Sequence, residues 1–225
     1  MYTIPAGITR NCWNETVCGT TRNLVLDLET LSLKTDARVL SIGAVGLDEQ
    51  FQIVSHFYAP LKIERLLNPE YSVDANTFNW WMQQSSEARA ALDIENGLTP
   101  SDAVDRFNWW IRVNGNPSAM NVWGNGPEFD VVILKHLFQR NHTYWPFTYN
   151  RVQSIRTIRL LDDVLGLDAV WEKARVEHHA LYDAEAEALF LQDVMKRLYA
   201  MDAQISDVYL ERQIAEIRDS HTHHG

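Results

Sequence analysis

The sequence has little of what disulfide-rich, secreted or membrane-spanning proteins require. Its 225 residues include only two cysteines, Cys12 and Cys18, too few for a disulfide framework or a zinc site with four cysteine ligands. No uninterrupted apolar run reaches the length of about 18 residues that spans a membrane. Residues 1–21 lack the basic start and apolar core of a secretory signal. We therefore expect a soluble, cytoplasmic protein with no membrane contact.

Positive charge is also scarce. Twenty Lys and Arg residues stand against thirty Asp and Glu residues, a net charge of -10. Proteins that bind long stretches of nucleic acid usually gain affinity from Lys and Arg, which displace counterions from the phosphates. An enzyme that holds only the last few nucleotides, and brings its positive charge as Mg²⁺ or Mn²⁺, needs clustered carboxylates instead. The acidity therefore argues against scaffold-like binding more than against a metal-dependent nuclease.

The order of the predicted elements favours one α/β domain over residues 22–200. We expect an irregular N-terminal arm over residues 1–21, and a C-terminal helix with a mobile tail over residues 201–225. Alternating or β-branched runs predict strands at 22–29, 39–47, 51–58 and 119–123. Apolar periodicity and capping residues predict helices at 74–83, 85–94, 100–113, 125–140, 154–165, 180–199 and 203–217. Strands followed by helices suit a mixed sheet flanked by helices.

Two carboxylates stand out in the first strand, RNLVLDLE. Because side chains alternate along a strand, Asp27 and Glu29 lie on one face, and Leu24, Leu26 and Leu28 on the other. Two carboxylates on one face can share a hard cation, which prefers oxygen ligands. When the pair is taken alone, a strand face that is simply exposed to water explains it better than a metal site does.

A third carboxylate follows the short strand that ends near Trp123. In NGPEFD, Pro127 at the first helical position would put Asp130 in the opening turn of a helix, beside a strand end. Ligands of open α/β sheets usually bind in that crevice. The alternative is that Asp130 merely complements the helix dipole.

The spacing of His178 and Asp183 in EHHALYD separates two roles. Five helical residues turn through roughly 500°, so the two side chains cannot share a face of one regular helix. If the helix begins near Ala180, Asp183 projects from its first turn and His178 lies on the preceding loop. An imidazole with a near-neutral pKa suits a general base there. We expect the neighbouring His179 to have a structural role. Taken alone, His178 would be explained as a partly buried, hydrogen-bonded histidine.

Together these elements resemble a known family. DLET (27–30), NGPEFD (125–130) and HHALYD (178–183) resemble the three motifs of the DEDDh class of 3'-5' exonucleases, which includes RNase T and polymerase proofreading subunits. LSIGAV (40–45), TFNWWMQQSSEAR (77–89) and RTIRLL (156–161) are more loosely similar to phage-type DexA exonucleases. The resemblance covers about residues 23–198.

The resemblance implies an RNase H-like fold with a central mixed five-stranded sheet, whose first three strands are antiparallel neighbours. It also implies hydrolysis of the 3'-terminal phosphodiester of DNA or RNA, single-stranded at the 3' end, which releases nucleoside 5'-monophosphates. Two Mg²⁺ or Mn²⁺ ions would be held by Asp27, Glu29, Asp130 and Asp183, with His178 as the general base. The implied contacts to the terminal nucleotide are Thr30, Leu31, Asn125 and Phe129. A homodimer is an open alternative to a monomer.

Two other readings share the same fold. A catalytically silent binding module would be expected to have lost at least one of the five catalytic residues. An RNase H-like endonuclease would not be expected to carry a base histidine five residues before its last carboxylate. Trp80-Trp81 and Trp109-Trp110 could stack on unpaired bases. Adjacent helical residues point about 100° apart, so we expect one tryptophan of each pair in the core.

Overall fold

A computed structural model describes residues 9–10, 16–17, 19–63, 70–93 and 95–222, with the backbone alone for 9–10, 16–17 and 207–222. The strands of this part are β1 (Thr9–Arg10), β2 (Thr16–Val17), β3 (Asn23–Thr30), β4 (Val39–Leu47), β5 (Ile53–Pro60), β6 (Asn121–Gly124) and β7 (Val152–Ser154). Its α-helices are α1 (Ala75–Met82), α2 (Ser86–Ala91), α3 (Pro100–Asn114), α4 (Asp130–Arg140), α5 (Ile155–Leu165) and α6 (Ala180–Thr222).

One mixed sheet organises these elements, in the strand order β1-β2-β5-β4-β3-β6-β7. Strands β3, β4 and β5 are antiparallel neighbours, whereas β6 and β7 run parallel to β3 and to each other. The predicted mixed five-stranded sheet is therefore confirmed in β5-β4-β3-β6-β7. Its fifth strand, β7, ends at Ser154, the residue at which the sequence predicts a helix to begin.

The N-terminal arm differs from its prediction. Strands β1 and β2 pair with each other, and Thr16 pairs with His56 at the edge of β5. The prediction of an irregular arm is wrong for these four residues, because they extend the ladder of β5. Residues 1–8, 11–15 and 18 lie outside the described residues.

The two faces of β3 bury different groups, as its alternation predicts. Leu24, Leu26 and Leu28 join a core cluster with α3 and α4. Val25 lies in a second cluster with α5 and α6 on the opposite face. Asp27 and Glu29 continue this second face toward the end of the strand. The carboxylates of β3 therefore lie on the side of the sheet that α6 covers.

Glycine at position 43 allows α6 to lie directly on the sheet. Gly43 of β4 is the pairing partner of Asp27. A Cβ added at Gly43 would lie 2.1 Å from the carbonyl carbon of Ala180, the first residue of α6. No side chain fits in that space, and only glycine permits so close an approach of two backbones. The first turn of α6 is thereby held beside Asp27.

The ends of two helices differ from the predictions. Helix α4 begins at Asp130 rather than at Pro127, because residues 126–129 form a turn in which the Phe129 N–H donates to the Gly126 carbonyl. The helices predicted at 180–199 and 203–217 are one helix, α6, of 43 residues. The intervening sequence, AMD, contains no glycine or proline to end it. The predicted C-terminal helix is thus the continuation of α6, and residues 223–225 of the predicted tail lie outside the described residues.

Helix α3 begins as predicted, with Thr99 as its N-cap and Pro100 at its first position. The helices predicted at 74–83 and 85–94 correspond to α1 and α2. None of the described helices, α6 included, is apolar enough over the thickness of a bilayer to cross it.

Candidate active site

The carboxyl end of β3 extends beyond its parallel neighbour. Strand β6 pairs with β3 only over Asn23–Val25 and ends at Gly124, so among the described residues no strand pairs with this edge of β3 beyond Val25. Asp130, the first residue of α4, occupies this edge, and its Oδ1 accepts a hydrogen bond from the Leu28 N–H at 3.2 Å. A backbone donor that the sheet leaves unpaired thereby brings Asp130 next to Asp27 and Glu29.

The start of α6 supplies the next two groups. Helix α6 begins at Ala180, so Asp183 lies in its first turn and His178 on the loop before it, as the spacing predicts. His178 has a left-handed backbone with φ of 64°. The Asp183 carboxylate accepts a hydrogen bond from the His179 N–H at 3.0 Å. Ligand atoms of Glu29, His178 and Asp183 all lie within 4.8 Å of one another.

The electrostatics of this cluster are unfavourable without a cation. Burial raises the pKa of Asp27 well above its usual range, and the charges of Asp130 and Glu29 raise it further. Burial also raises the pKa of Glu29 well above its usual range and that of Asp130 to about 7. The Asp183 pKa is raised by burial as well, although the charge of His178 partly offsets this. Carboxylates that repel one another when all are ionised suit a hard divalent cation such as Mg²⁺ or Mn²⁺, because its charge offsets the repulsion.

The structure adds one carboxylate that the sequence analysis missed. Glu187 lies four residues after Asp183 on α6 and is only 4% exposed. Burial raises the pKa of Glu187 well above its usual range, and the charges of Asp130 and Asp183 raise it further. The signal was available, because residues four apart share a helix face. In the sequence, however, the run DAEAE is typical of an ordinary polar helix surface.

His179 has a structural environment. Its ring lies between the rings of Tyr58 and Tyr182, with centroid distances of 4.4 and 4.2 Å. Burial lowers the pKa of His179, which favours the neutral ring. His179 thus packs beneath the site, whereas His178 reaches Glu29 and Asp183.

A pocket beside Glu29 separates the four predicted nucleotide contacts into two groups. Thr30 and Phe129 line it, together with Leu28, Leu33, Asn76, Thr77, Trp80 and Trp81. Leu31 does not, because its side chain is buried in a cluster with Leu40 and Trp81, and its backbone N–H and carbonyl are bonded to Arg38 and Asp74. Asn125 also lies outside this pocket, where its carbonyl accepts a hydrogen bond from the Arg156 N–H.

The tryptophan pairs divide as predicted. Trp81 is buried and donates from Nε1 to the Thr30 carbonyl at 2.9 Å, whereas Trp80 is 41% exposed in the pocket. The Trp80 ring lies edge-to-face with the His178 ring, with centroids 4.6 Å apart. In the second pair Trp110 is buried and Trp109 is partly exposed. Trp80 is therefore the tryptophan that reaches the site.

Comparison with known families and structures agrees with this geometry. Residues 22–195 match the family described as the 3'-5' exoribonuclease Rv2179c-like domain. The chain belongs to this family. The prediction of a DEDDh-type 3'-5' exonuclease of the RNase H-like superfamily is confirmed at the level of the family. A comparison with curated proteins gave no significant match.

Solved structures of exonuclease I share the fold of this Rv2179c-like chain. E. coli exonuclease I in complex with a 5cy-dT13 oligonucleotide superposes with a TM-score of 0.56 at 17% identity, over 80% of this chain and 41% of that one. The exonuclease I from Methylocaldum szegediense gives 0.58 at 16% identity, over 78% and 40% of the two chains. The chain thus spans about two fifths of the length of these relatives. The predicted RNase H-like α/β fold is confirmed.

Proposed function

We propose that this protein is a metal-dependent 3'-5' exonuclease that hydrolyses the 3'-terminal phosphodiester and releases nucleoside 5'-monophosphates. The observation that carries the proposal is the meeting of Asp27, Glu29, Asp130, Asp183 and His178 at one end of β3. Membership of a 3'-5' exoribonuclease family supports the same reaction.

Two cation positions are supported by the arrangement of the carboxylates. Glu29 and Asp183, whose oxygens lie close together, would hold one Mg²⁺ or Mn²⁺ ion with Asp27. The hydrogen bond from the Leu28 N–H holds Asp130 beside Asp27, so these two would share the second. Bound divalent cations supply stabilisation of the negative charge that develops on the attacking and leaving oxygens. The protein contributes their spacing, through β3, α4 and α6.

His178 is the general base in this proposal. His178 lies on the loop before α6, and its ring is next to the carboxylate oxygens of Glu29 and Asp183. It would take the proton of the attacking water. The negative charge of Asp183 then stabilises the imidazolium that forms.

The pocket beside Glu29 would bind the 3'-terminal nucleotide. Leu28 and Phe129 give it apolar walls, and the exposed ring of Trp80 offers a stacking surface for an unpaired base. Thr30 adds a polar group at the strand end. A pocket of this kind favours a single-stranded 3' end, because a base must leave its duplex to stack there.

RNA is the first substrate to test, because the family is described as one of exoribonucleases. Several exonuclease I structures instead carry single-stranded DNA, among them dT13 and dA16 oligonucleotides. We propose single-stranded nucleic acid as the substrate class. The cytoplasmic location and the homodimer stay predictions.

A time course on 5'-labelled single-stranded RNA, single-stranded DNA and duplex, each with Mg²⁺ or Mn²⁺, tests the proposal. A ladder that shortens from the 3' end, and that EDTA stops, is the expected result. A circular single-stranded substrate should remain intact. Internal cuts in the circle, or full activity in EDTA, would overturn the proposal.

A further inference from the structure

Glu187 has a buried oxygen that no group in the described structure satisfies. Its Oε2 is shielded from solvent and has no hydrogen-bond partner. The side chain belongs to the face of α6 that packs on the sheet, between the buried residues Ala184 and Leu191. A carboxylate that loses water without gaining a partner is unfavourable, so this oxygen calls for a ligand.

The charges around Glu187 point to a cation. The charges of Asp130 and Asp183 raise the pKa of Glu187, and those of Arg159 and Arg156 lower it. Arg156 is paired with the exposed Glu128 at 3.0 Å. The Arg159 guanidinium lies over the Trp171 ring at 3.9 Å. Both arginines are thus engaged elsewhere, and negative charge dominates at Glu187.

A second glutamate of α6 provides the contrast. Glu185 precedes Glu187 by two residues, so the two side chains point to different sides of the helix. Glu185 faces His56 of β5, with the Glu185 Oε1 and His56 Nε2 atoms 3.6 Å apart, and is partly exposed. One glutamate therefore has its partner within the protein, whereas the other is buried on the side of α6 that packs on the sheet, with its Oε2 unpartnered among the described residues.

We propose that Glu187 is a fifth carboxylate of the metal centre and holds, through its unsatisfied Oε2, the divalent cation that Asp27 and Asp130 share. This inference rests on the proposed two-cation centre and adds to it a residue from the second turn of α6. Strand β3 and helix α4 would then bind this cation from one side, and α6 from the other. Asp183 and Glu187, four residues apart on α6, would then each bind one of the two cations.

Calorimetric titration of the metal-free full chain with Mn²⁺ tests the inference directly. The wild type is expected to bind two ions. Glu187→Gln keeps the size of the side chain but removes its charge, and should weaken one of the two sites at least tenfold while the other is unchanged. Glu187→Asp keeps the charge and should lose less affinity than Glu187→Gln. Glu185→Gln, the matched control, should bind Mn²⁺ as the wild type does.

Two outcomes separate this inference from the proposed function. Wild-type Mn²⁺ affinities at both sites in Glu187→Gln, together with normal 3'-end degradation by the wild type, would overturn the inference alone. A wild type that binds no Mn²⁺ would overturn both. Thermal unfolding in EDTA verifies that each variant is folded. Glu187→Gln should unfold at or above the wild-type temperature at pH 8, because it removes a buried, unpaired charge.

Discussion

The carboxylate centre and the aromatic pocket share Glu29 but are built in opposite ways. The centre gathers like charges in a dry place, where Asp130 is only 4% exposed. The pocket gathers apolar groups in contact with water, where Leu33 is 79% exposed. In our proposal bound cations relieve the charge repulsion of the centre, whereas the pocket accepts a base. Changes in the centre should lower the catalytic rate, and changes in the pocket should lower affinity.

The two regions also differ in how the chain assembles them. The pocket depends on α1, which is capped by Asp74 and anchored by the hydrogen bond from Trp81 to Thr30. The centre needs β3, the start of α4 and the start of α6, which are far apart in the sequence. Most of the pocket, in contrast, comes from two segments, residues 28–33 and 76–81.

The largest effect is expected from Asp27→Asn. It should lower cleavage by roughly 10⁴-fold or more, because Asp27 belongs to both proposed cation positions. The same variant should raise the unfolding temperature of the metal-free protein at pH 8, because it removes a buried like charge. Cleavage assays and thermal scans in EDTA measure the two effects. Asp105→Asn, on an exposed position of α3, should change neither. Near-normal cleavage by Asp27→Asn would contradict the assignment.

His178→Ala is expected to reduce the single-turnover rate by about 10² to 10⁴-fold, the usual contribution of a general base. Its Mn²⁺ affinity should stay near that of the wild type, because the carboxylates remain. His136→Ala, on α4, is the control and should retain full activity. Normal cleavage by His178→Ala would contradict the general-base role and leave His178 a structural residue.

Trp80→Ala separates the pocket from the centre. Stacking on one base contributes about 1 to 3 kcal/mol, so KM for single-stranded substrate should rise roughly tenfold while kcat changes less. Trp109→Ala removes a similarly exposed tryptophan that does not line the pocket and should leave both constants unchanged. A fall in kcat with unchanged KM would instead assign Trp80 to holding the His178 ring.

The smallest effect concerns stability and pH. In the metal-free protein, folding raises the pKa values of Asp27, Glu29 and Glu187, and that of Asp130 to about 7. The folded state then holds protons that the unfolded state releases above about pH 4. The protonated carboxyl groups thus stabilise the folded protein at low pH, and this stabilisation is lost as the pH rises through 7.

The unfolding temperature in EDTA should fall by roughly 5 °C between pH 5 and pH 8. Mg²⁺ should restore it at pH 8. A temperature that rises over this range would contradict the pKa shifts.

Local patterns in the sequence predicted much of the site. Alternation along β3 assigned Asp27 and Glu29 to one face, and helix periodicity separated Trp80 from Trp81. The five-residue spacing predicted that His178 precedes the helix that carries Asp183. These predictions succeed because each depends only on neighbours in the chain, whose geometry is fixed by the strand or the helix.

Other features had no local signal. The hydrogen bond from the Leu28 N–H to Asp130 joins residues 102 positions apart. The approach of Ala180 to Gly43 depends on two backbones that meet only in the folded sheet. Strand β7 is three residues long, too short for periodicity to separate it from the helix that follows. The Leu31 side chain lies outside the pocket because it packs in a buried cluster with Trp81.

By itself, then, the sequence determined which residues carry charge and on which face of each element they lie. Only the tertiary structure decided that the carboxylates of β3, α4 and α6 come together, and that Glu187 is buried without a partner for its Oε2 among the described residues. The physical reason is the range of the interactions. Backbone geometry fixes the direction of a side chain locally, whereas burial and charge repulsion exist only between segments that folding brings together.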